Sequence, residues 1–245
     1  MPLEFDGADT VSPAPVKSLL YGEPGMGKTF SLRSLPKHAL PALLIDLDRG
    51  GASVLGGFEK GELQGFIPDR FAKVGSKEAP AAYEQVKDKL QSINKDDEIK
   101  TIVVDSFTEL YQNIMDYVMH KNNKPLDSAP TQPDYGMAMR FCIKFIEALS
   151  EMQRHIVVIC HEANHTNEVT GITKVTPALT GQLAVKIPGY FDNVLHAKVK
   201  GRGEKREYIW ETVPNGLYTA RTRMQGIEPE IAQDFSLLIK DSDAQ

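Results

Sequence analysis

The sequence predicts an α/β fold, a mostly parallel sheet with helices on both faces that is extended near its end by an antiparallel β-hairpin. Three observations predict it. Four short apolar runs, each too brief for a helix, close on glycine or a polar residue. Segments of helical spacing lie between them, as crossover units joining parallel strands require. Beyond His161 that alternation stops, and two β-leaning runs flank the turn sequence GRGEK.

Residues 1–15 (MPLEFDGADTVSPAP) combine acid, glycine and proline and read as a flexible N-terminal arm. VKSLLYG, from Val16, is the first strand, and the helix that follows Lys28 is stopped by Pro36. ALLIDLD (42–48) is the second strand, closing on Arg49, Gly50 and Gly51. Residues 52–75 are spotted with glycine and carry no assignment. Ala82, Val86, Leu90 and Ile93 place a helix over 79–93, and IKTIVVDS (99–106) is the third strand. Phe107, Leu110, Ile114 and Val118 then share one helix face. A proline-rich loop over 121–133 leads to an apolar helix, 137–149, and to HIVVIC (155–160), the fourth strand. Residues 163–182 show no clear period. Phe191 to Val199 and Arg206 to Trp210 form the hairpin. The domain runs over 16–223, and 224–245 is a C-terminal tail.

The 245 residues, 41% hydrophobic and 25% charged, suffice for a full core. No apolar run is long enough to span a bilayer, and the first residues lack the basic start and apolar middle of a signal peptide. A soluble, cytoplasmic protein without membrane contact is expected. The two cysteines, Cys142 and Cys160, fall in a helix and a buried strand and supply neither a disulfide framework nor a metal site. A net charge of −5 excludes a uniformly basic coat for nucleic acid. The run from His196 to Arg206 holds Lys198, Lys200, Arg202, Lys205 and Arg206 against one acid, Glu204. It reads either as a solvated hairpin or as a local nucleic-acid patch.

The chemistry concentrates at strand ends. Gly22-Glu23-Pro24-Gly25-Met26-Gly27-Lys28-Thr29 has the spacing of a phosphate loop, and Phe30 follows it. Its glycines let successive backbone N–H groups turn inward on phosphate oxygens, Lys28 supplies a point charge, and the Thr29 hydroxyl can ligate Mg2+. ATP with Mg2+ is the expected ligand. Asp105 closes the third strand where the second NTPase signature places its magnesium-sphere acid, a plain turn residue being the alternative, with Ser106 beside it to orient the water shell. Hydrolysis needs a carboxylate that orients water, and Asp48 is the candidate because Asp46, two residues earlier, can point elsewhere. A turn or capping role for Asp48 is the alternative. His161, directly after the fourth strand, reads as a γ-phosphate sensor or as a structural hydrogen-bonder.

The order GEPGMGKT, IDLD, TIVVDS, VVICHE resembles the RecA-type ATPase core, and more narrowly the small phage-encoded RecA-like ATPases of single-strand annealing and recombination. The resemblance covers roughly residues 16–223, including the later pieces PALTGQL, PGYFDNVLH and YTARTR. It implies a homo-oligomeric ATPase that handles single-stranded DNA in the host cytoplasm, with a single-strand binding protein as a further partner. It also implies a catalytic glutamate where this chain has Asp48, one methylene shorter, and a sensor glutamine where it has His161, so slow hydrolysis is expected. The DNA loops of that core match roughly Lys121 to Tyr135 and Glu162 to Gly181. Lys121, Lys124 and Tyr135 in the first and His165 and Lys174 in the second are the implied contacts, with Lys198, Lys200 and Arg202 on the hairpin. Lys198, Lys200, Arg202, Arg221 and Arg223 are also candidates for reaching a neighbouring subunit's phosphates. A nucleotide-dependent switch without DNA contact is the competing reading. A small-molecule kinase is disfavoured, because the basic residues gather near a late hairpin instead of in a lid.

Overall fold

The computed structural model describes residues 14–74, 77–93, 98–166, 171 and 173–241. Nearly all of the expected arm, and residues 242–245, lie outside them. The chain runs through β1 (Lys17–Tyr21), β2 (Ala42–Asp46), β3 (Leu63–Phe66), β4 (Phe71–Val74), β5 (Lys77–Pro80), α1 (Ala82–Gln91), β6 (Thr101–Asp105), α2 (Phe107–Lys121) and α3 (Gln132–Glu151). It continues through β7 (His155–Cys160), β8 (Glu162–Thr166), β9 (Thr173–Pro177), α4 (Gln182–Lys186), β10 (Asn193–Lys200), β11 (Glu207–Glu211), β12 (Arg221–Thr222) and β13 (Glu230–Ala232). One sheet has the order β13-β11-β10-β1-β7-β6-β2-β3, with β12 paired to β10. From β10 to β3 neighbouring strands are parallel, and β11, β12 and β13 join antiparallel at the other edge.

Alternate residues of each strand face opposite sides, which divides the core in two. Leu19, Tyr21, Ile102, Val104, Ile156 and Val158 pack under α1, α2, α3 and α4. Leu20, Leu44, Val103, Val157 and Ile159 meet Leu32, Leu35, Val54, Phe235 and Leu238 on the other face. Helices therefore cover both faces, but the α-helices share one and short 3-10 turns cover the other. Burial on both sides explains why β1, β2, β6 and β7 read as continuous apolar runs. Helix α3 begins earlier than its apolar period, at a capping box of Thr131 and Asp134 with Pro133 in the first turn.

Three expectations need correction. The second strand stops at Asp46, so Leu47 and Asp48 leave the ladder, and both their N–H groups reach the Asp105 carbonyl. Residues 163–182 show no legible period, yet Glu162–Thr166 and Thr173–Pro177 form the antiparallel pair β8–β9; their residues are largely polar and few are buried, so no alternation marks them. The expected tail is part of the fold: β13 pairs with β11, and the Phe235 ring meets Trp210 edge-on at 4.8 Å. A three-residue strand and one 3-10 turn are too short to show a period. Phe235→Ala should destabilise the protein by about 3–5 kcal/mol, the cost of a large aromatic cavity. Urea denaturation checks it, and a loss below about 1 kcal/mol would mean that the segment is peripheral.

Candidate functional site

The phosphate loop leaves β1 at the C-terminal rim of the parallel sheet. Gly22 passes so close to β10 that a Cβ there would lie 2.5 Å from the Ala197 carbonyl oxygen. Gly27 has φ of +82°, and a Cβ on it would meet Tyr208 and Gln233 at 2.7 Å. The helix expected after Lys28 is a 3-10 turn, Phe30–Ser34. Ser31 and Ser34 donate their hydroxyls to the Lys28 and Ser31 carbonyls, and Pro36 leaves no room for a longer helix.

Lys28 is 7% exposed and folds back over the loop. Its ammonium donates to the Gly22 carbonyl at 2.7 Å and the Glu23 carbonyl at 2.8 Å. Burial lowers its pKa, and Asp105 opposes that shift. Thr29 Oγ1 donates to Asp105 Oδ2 at 2.6 Å, so the two expected metal ligands already touch. Burial pushes the Asp105 carboxyl up to about 6, with the Thr29 bond opposing. A carboxylate desolvated to that degree beside a hydroxyl suits a divalent cation, and Thr29 and Asp105 fit Mg2+.

Asp46 and Asp48 point apart because the strand ends between them. Asp46 accepts the Gly50 and Gly51 amides at 2.9 and 2.8 Å, which is a turn-forming role. Asp48 accepts the Ser106 hydroxyl at 2.8 Å and faces His161 Nε2 at 3.1 Å. Burial works to raise the Asp48 carboxyl, but the bonds from His161 and Ser106 outweigh it and hold it below the usual range. The same Asp48 bond raises His161 against the effect of its own burial. The Ser106 hydroxyl also accepts the Glu109 amide as the cap of α2, so it orients a carboxylate directly. Lys28, Thr29, Asp48, Asp105 and His161 line one cavity of about 510 Å3. A larger one, about 660 Å3, lies beside His38, Lys100 and His155, and the phosphate loop takes no part in lining it.

Residues 14–224 match the AAA domain family. The chain belongs to that family. In its sheet β7, which ends one residue before His161, lies between the loop strand β1 and the Asp105 strand β6. Among solved structures, this AAA domain is similar to a KaiC-like protein of Pyrococcus horikoshii at 11% identity, covering 87% of this chain and 84% of that one with a TM-score of 0.48. It is also similar to the flagellar accessory protein FlaH of Methanocaldococcus jannaschii at 12% identity, covering 81% and 78% with a TM-score of 0.40. No curated protein matches the chain.

The remaining predicted residues of the AAA domain are dispersed. Pro24, Gly25 and Phe30 line the cavity, and the Met26 carbonyl accepts from Gln233 at 2.8 Å. Lys121 lies over the Tyr117 and Phe141 rings. Lys124 is bound to Asp134 and Thr131 at the start of α3. His165 and Lys174 stand opposite each other across β8–β9. Lys198 pairs with Glu211 and Glu230, Lys200 pairs with Glu230, and Arg202 is exposed at the turn. Arg221 donates to the Pro188 and Phe191 carbonyls, and Arg223 pairs with Asp192. Of the five basic residues in the run, Lys198 and Lys200 are thus answered by acids from β11 and β13, which are invisible to a count along one segment.

Sequence reasoning missed two groups here. Tyr208 and Gln233 hold the phosphate loop from the far edge of the sheet. Beside them His196 is buried between Glu211, at 2.8 Å from Nδ1, and Glu162, at 2.9 Å from Nε2, with Tyr218 stacked on its ring.

Proposed function

We propose that this AAA-family ATPase is a slow, Mg2+-dependent enzyme that holds single-stranded DNA for recombination or annealing, as a homo-oligomer of the kind the phage resemblance implies. One observation carries the reading. His161 sits beside Asp48 at the phosphate cavity, β8 starts at the next residue, and the His161 carbonyl also accepts the Ala178 amide at 2.8 Å where β9 ends. Both strands that carry His165 and Lys174 are therefore anchored at the residue placed to sense the γ-phosphate. A shift of His161 displaces the whole hairpin.

The chain's own residues divide the chemistry. Lys28 and the loop amides bind and orient the phosphates, and Asp48, aimed by Ser106, takes the proton of an attacking water. Thr29 and Asp105 hold Mg2+, which neutralises phosphate charge when bound. Asp48 is short for its task and is pinned by His161, which supports slow turnover. Among the described residues no helix is long and apolar enough to cross a membrane.

A labelled single-stranded oligonucleotide titrated with ATP, with ADP or without nucleotide tests the proposal. Binding should be tightest with ATP and should weaken as salt rises. Absence of binding in every condition would sink it. The internal pairing of Lys124, Lys198 and Lys200 favours a second reading, a nucleotide-dependent assembly switch. Under that reading, light scattering reports an ATP-dependent change of oligomer that ignores DNA.

A further inference from the structure

The hairpin β10–β11 overhangs the phosphate loop. The β1–β10 pairing ends at Tyr21 with His196, but β10 runs on to Lys200, about 13 Å further at strand rise. Tyr208 lies on the returning strand opposite Val199, at that overhang. Its ring rests on Gly27, and Gln233, which donates to the Met26 and Ile209 carbonyls, fixes the strand to the loop. Along the sheet β11 lies two strands from β1 on one side, whereas β6 with Asp105 lies two strands away on the other. The triphosphate's reacting end belongs with Asp105 and Asp48, so the ribose and base leave toward the Tyr208 side.

Two large rings line this cavity although water reaches them: Tyr208 is 43% exposed and Phe30 is 56% exposed. The Phe30 ring is held from behind by the Arg33 guanidinium, 4.5 Å from its centroid, while Arg33 itself donates to the Ser53 carbonyl. Apart from the Tyr208 hydroxyl itself, the polar side chains lining the cavity are either at the phosphate end or, like the Ser53 hydroxyl on the Gly50 carbonyl, already engaged. Aromatic faces are available to a base here, and no side-chain amide or guanidinium among the described lining residues is available to read its edge.

We propose that Tyr208 and Phe30 form a nucleobase platform that binds by stacking alone, so that the enzyme takes purine nucleoside triphosphates with little discrimination between adenine and guanine. This rests on the reading of the cavity as the nucleotide site. Stacking tolerates any base because every base has a π-face, and larger purines gain more contact than pyrimidines. Strong rejection of one purine would need a buried polar reader left unpaired by the wrong base.

Calorimetric titration of ATP, GTP, CTP and inorganic tripolyphosphate into wild type, Tyr208→Ala and Tyr208→Phe tests the platform. In wild type ATP and GTP should agree within about fivefold, with CTP weaker; Tyr208→Ala should lose roughly tenfold for both purines, and Tyr208→Phe should restore it. Tripolyphosphate should bind all three proteins alike, which also shows that the loop beside Tyr208 is intact. A wild-type preference for one purine beyond about a hundredfold would overturn stacking-only recognition. So would equal losses of ATP and tripolyphosphate in Tyr208→Ala, or no loss of either. If wild type bound neither ATP nor tripolyphosphate, the nucleotide-site reading itself would fall, and the platform with it.

Discussion

Lys28→Ala should abolish nucleotide binding, raising the dissociation constant for ATP by at least about a hundredfold, the scale of losing one partner of a desolvated charge contact. Lys28 is the cation of the loop itself and is almost wholly withdrawn from solvent. Its ammonium donates to the Gly22 and Glu23 carbonyls, and a nucleotide would exchange those partners for charged oxygens. The variant should fold, because Lys28 itself lines the cavity and one of its two carbonyl partners belongs to Glu23, an exposed residue. Thermal melting gives the contrast: ATP at a hundred times its dissociation constant stabilises the wild type by about 2.7 kcal/mol and leaves the variant unmoved. A variant still stabilised by ATP would remove Lys28 from the site.

Asp48→Asn should lower turnover by about 10²–10⁴-fold, the usual contribution of a general base, with ATP affinity nearly unchanged. The substitution keeps the shape that Ser106 and His161 contact. The wild-type pH profile carries a second signature. Asp48 holds His161 above the ordinary histidine value of 6.5, so its imidazolium persists past that pH, while Asp48, held below its ordinary 3.8, is already ionised. The pair is intact between these limits. As pH rises through the His161 value the imidazolium loses its charge, Asp48 is released toward the water, and turnover should climb. Steady-state rates across neutral and mildly alkaline pH would show the rising limb in wild type and its absence in Asp48→Asn. Undiminished turnover in the variant would move the base elsewhere.

The strands, the phosphate loop and the residues at strand ends were legible because each depends on local order. A strand buried on both faces must be a short apolar run, as in TIVVD and HIVVIC, and the residue that ends it must sit at the rim. That logic put Asp105 and His161 at the rim, whereas Asp48 parts from Asp46 only because β2 ends before it. What failed depends on distant partners or on weak amphipathy. The hairpin β8–β9 is too polar to show a period. Lys198 and Lys200 read as free charge until β13 brings Glu230 beside them. Tyr208 looked like one residue of a terminal hairpin, and only the register of β10 beyond β1 sets it over Gly27. The role of Gln233 depends on a contact with Met26, 207 residues earlier in the chain.

That last contact has a consequence for synthesis. The phosphate loop is synthesised well ahead of its supports: its flanking wall needs β10 and β11, and its clasp, Gln233, follows Met26 by 207 residues. Phe235 closes the same arrangement, its amide donating to the Ser34 hydroxyl just past the loop. Until Gln233 is made, a nascent chain therefore carries the phosphate-binding sequence in a form that lacks its support. A fragment stopped short of Gln233 has no buttressed cradle with which to withdraw ATP from the cell.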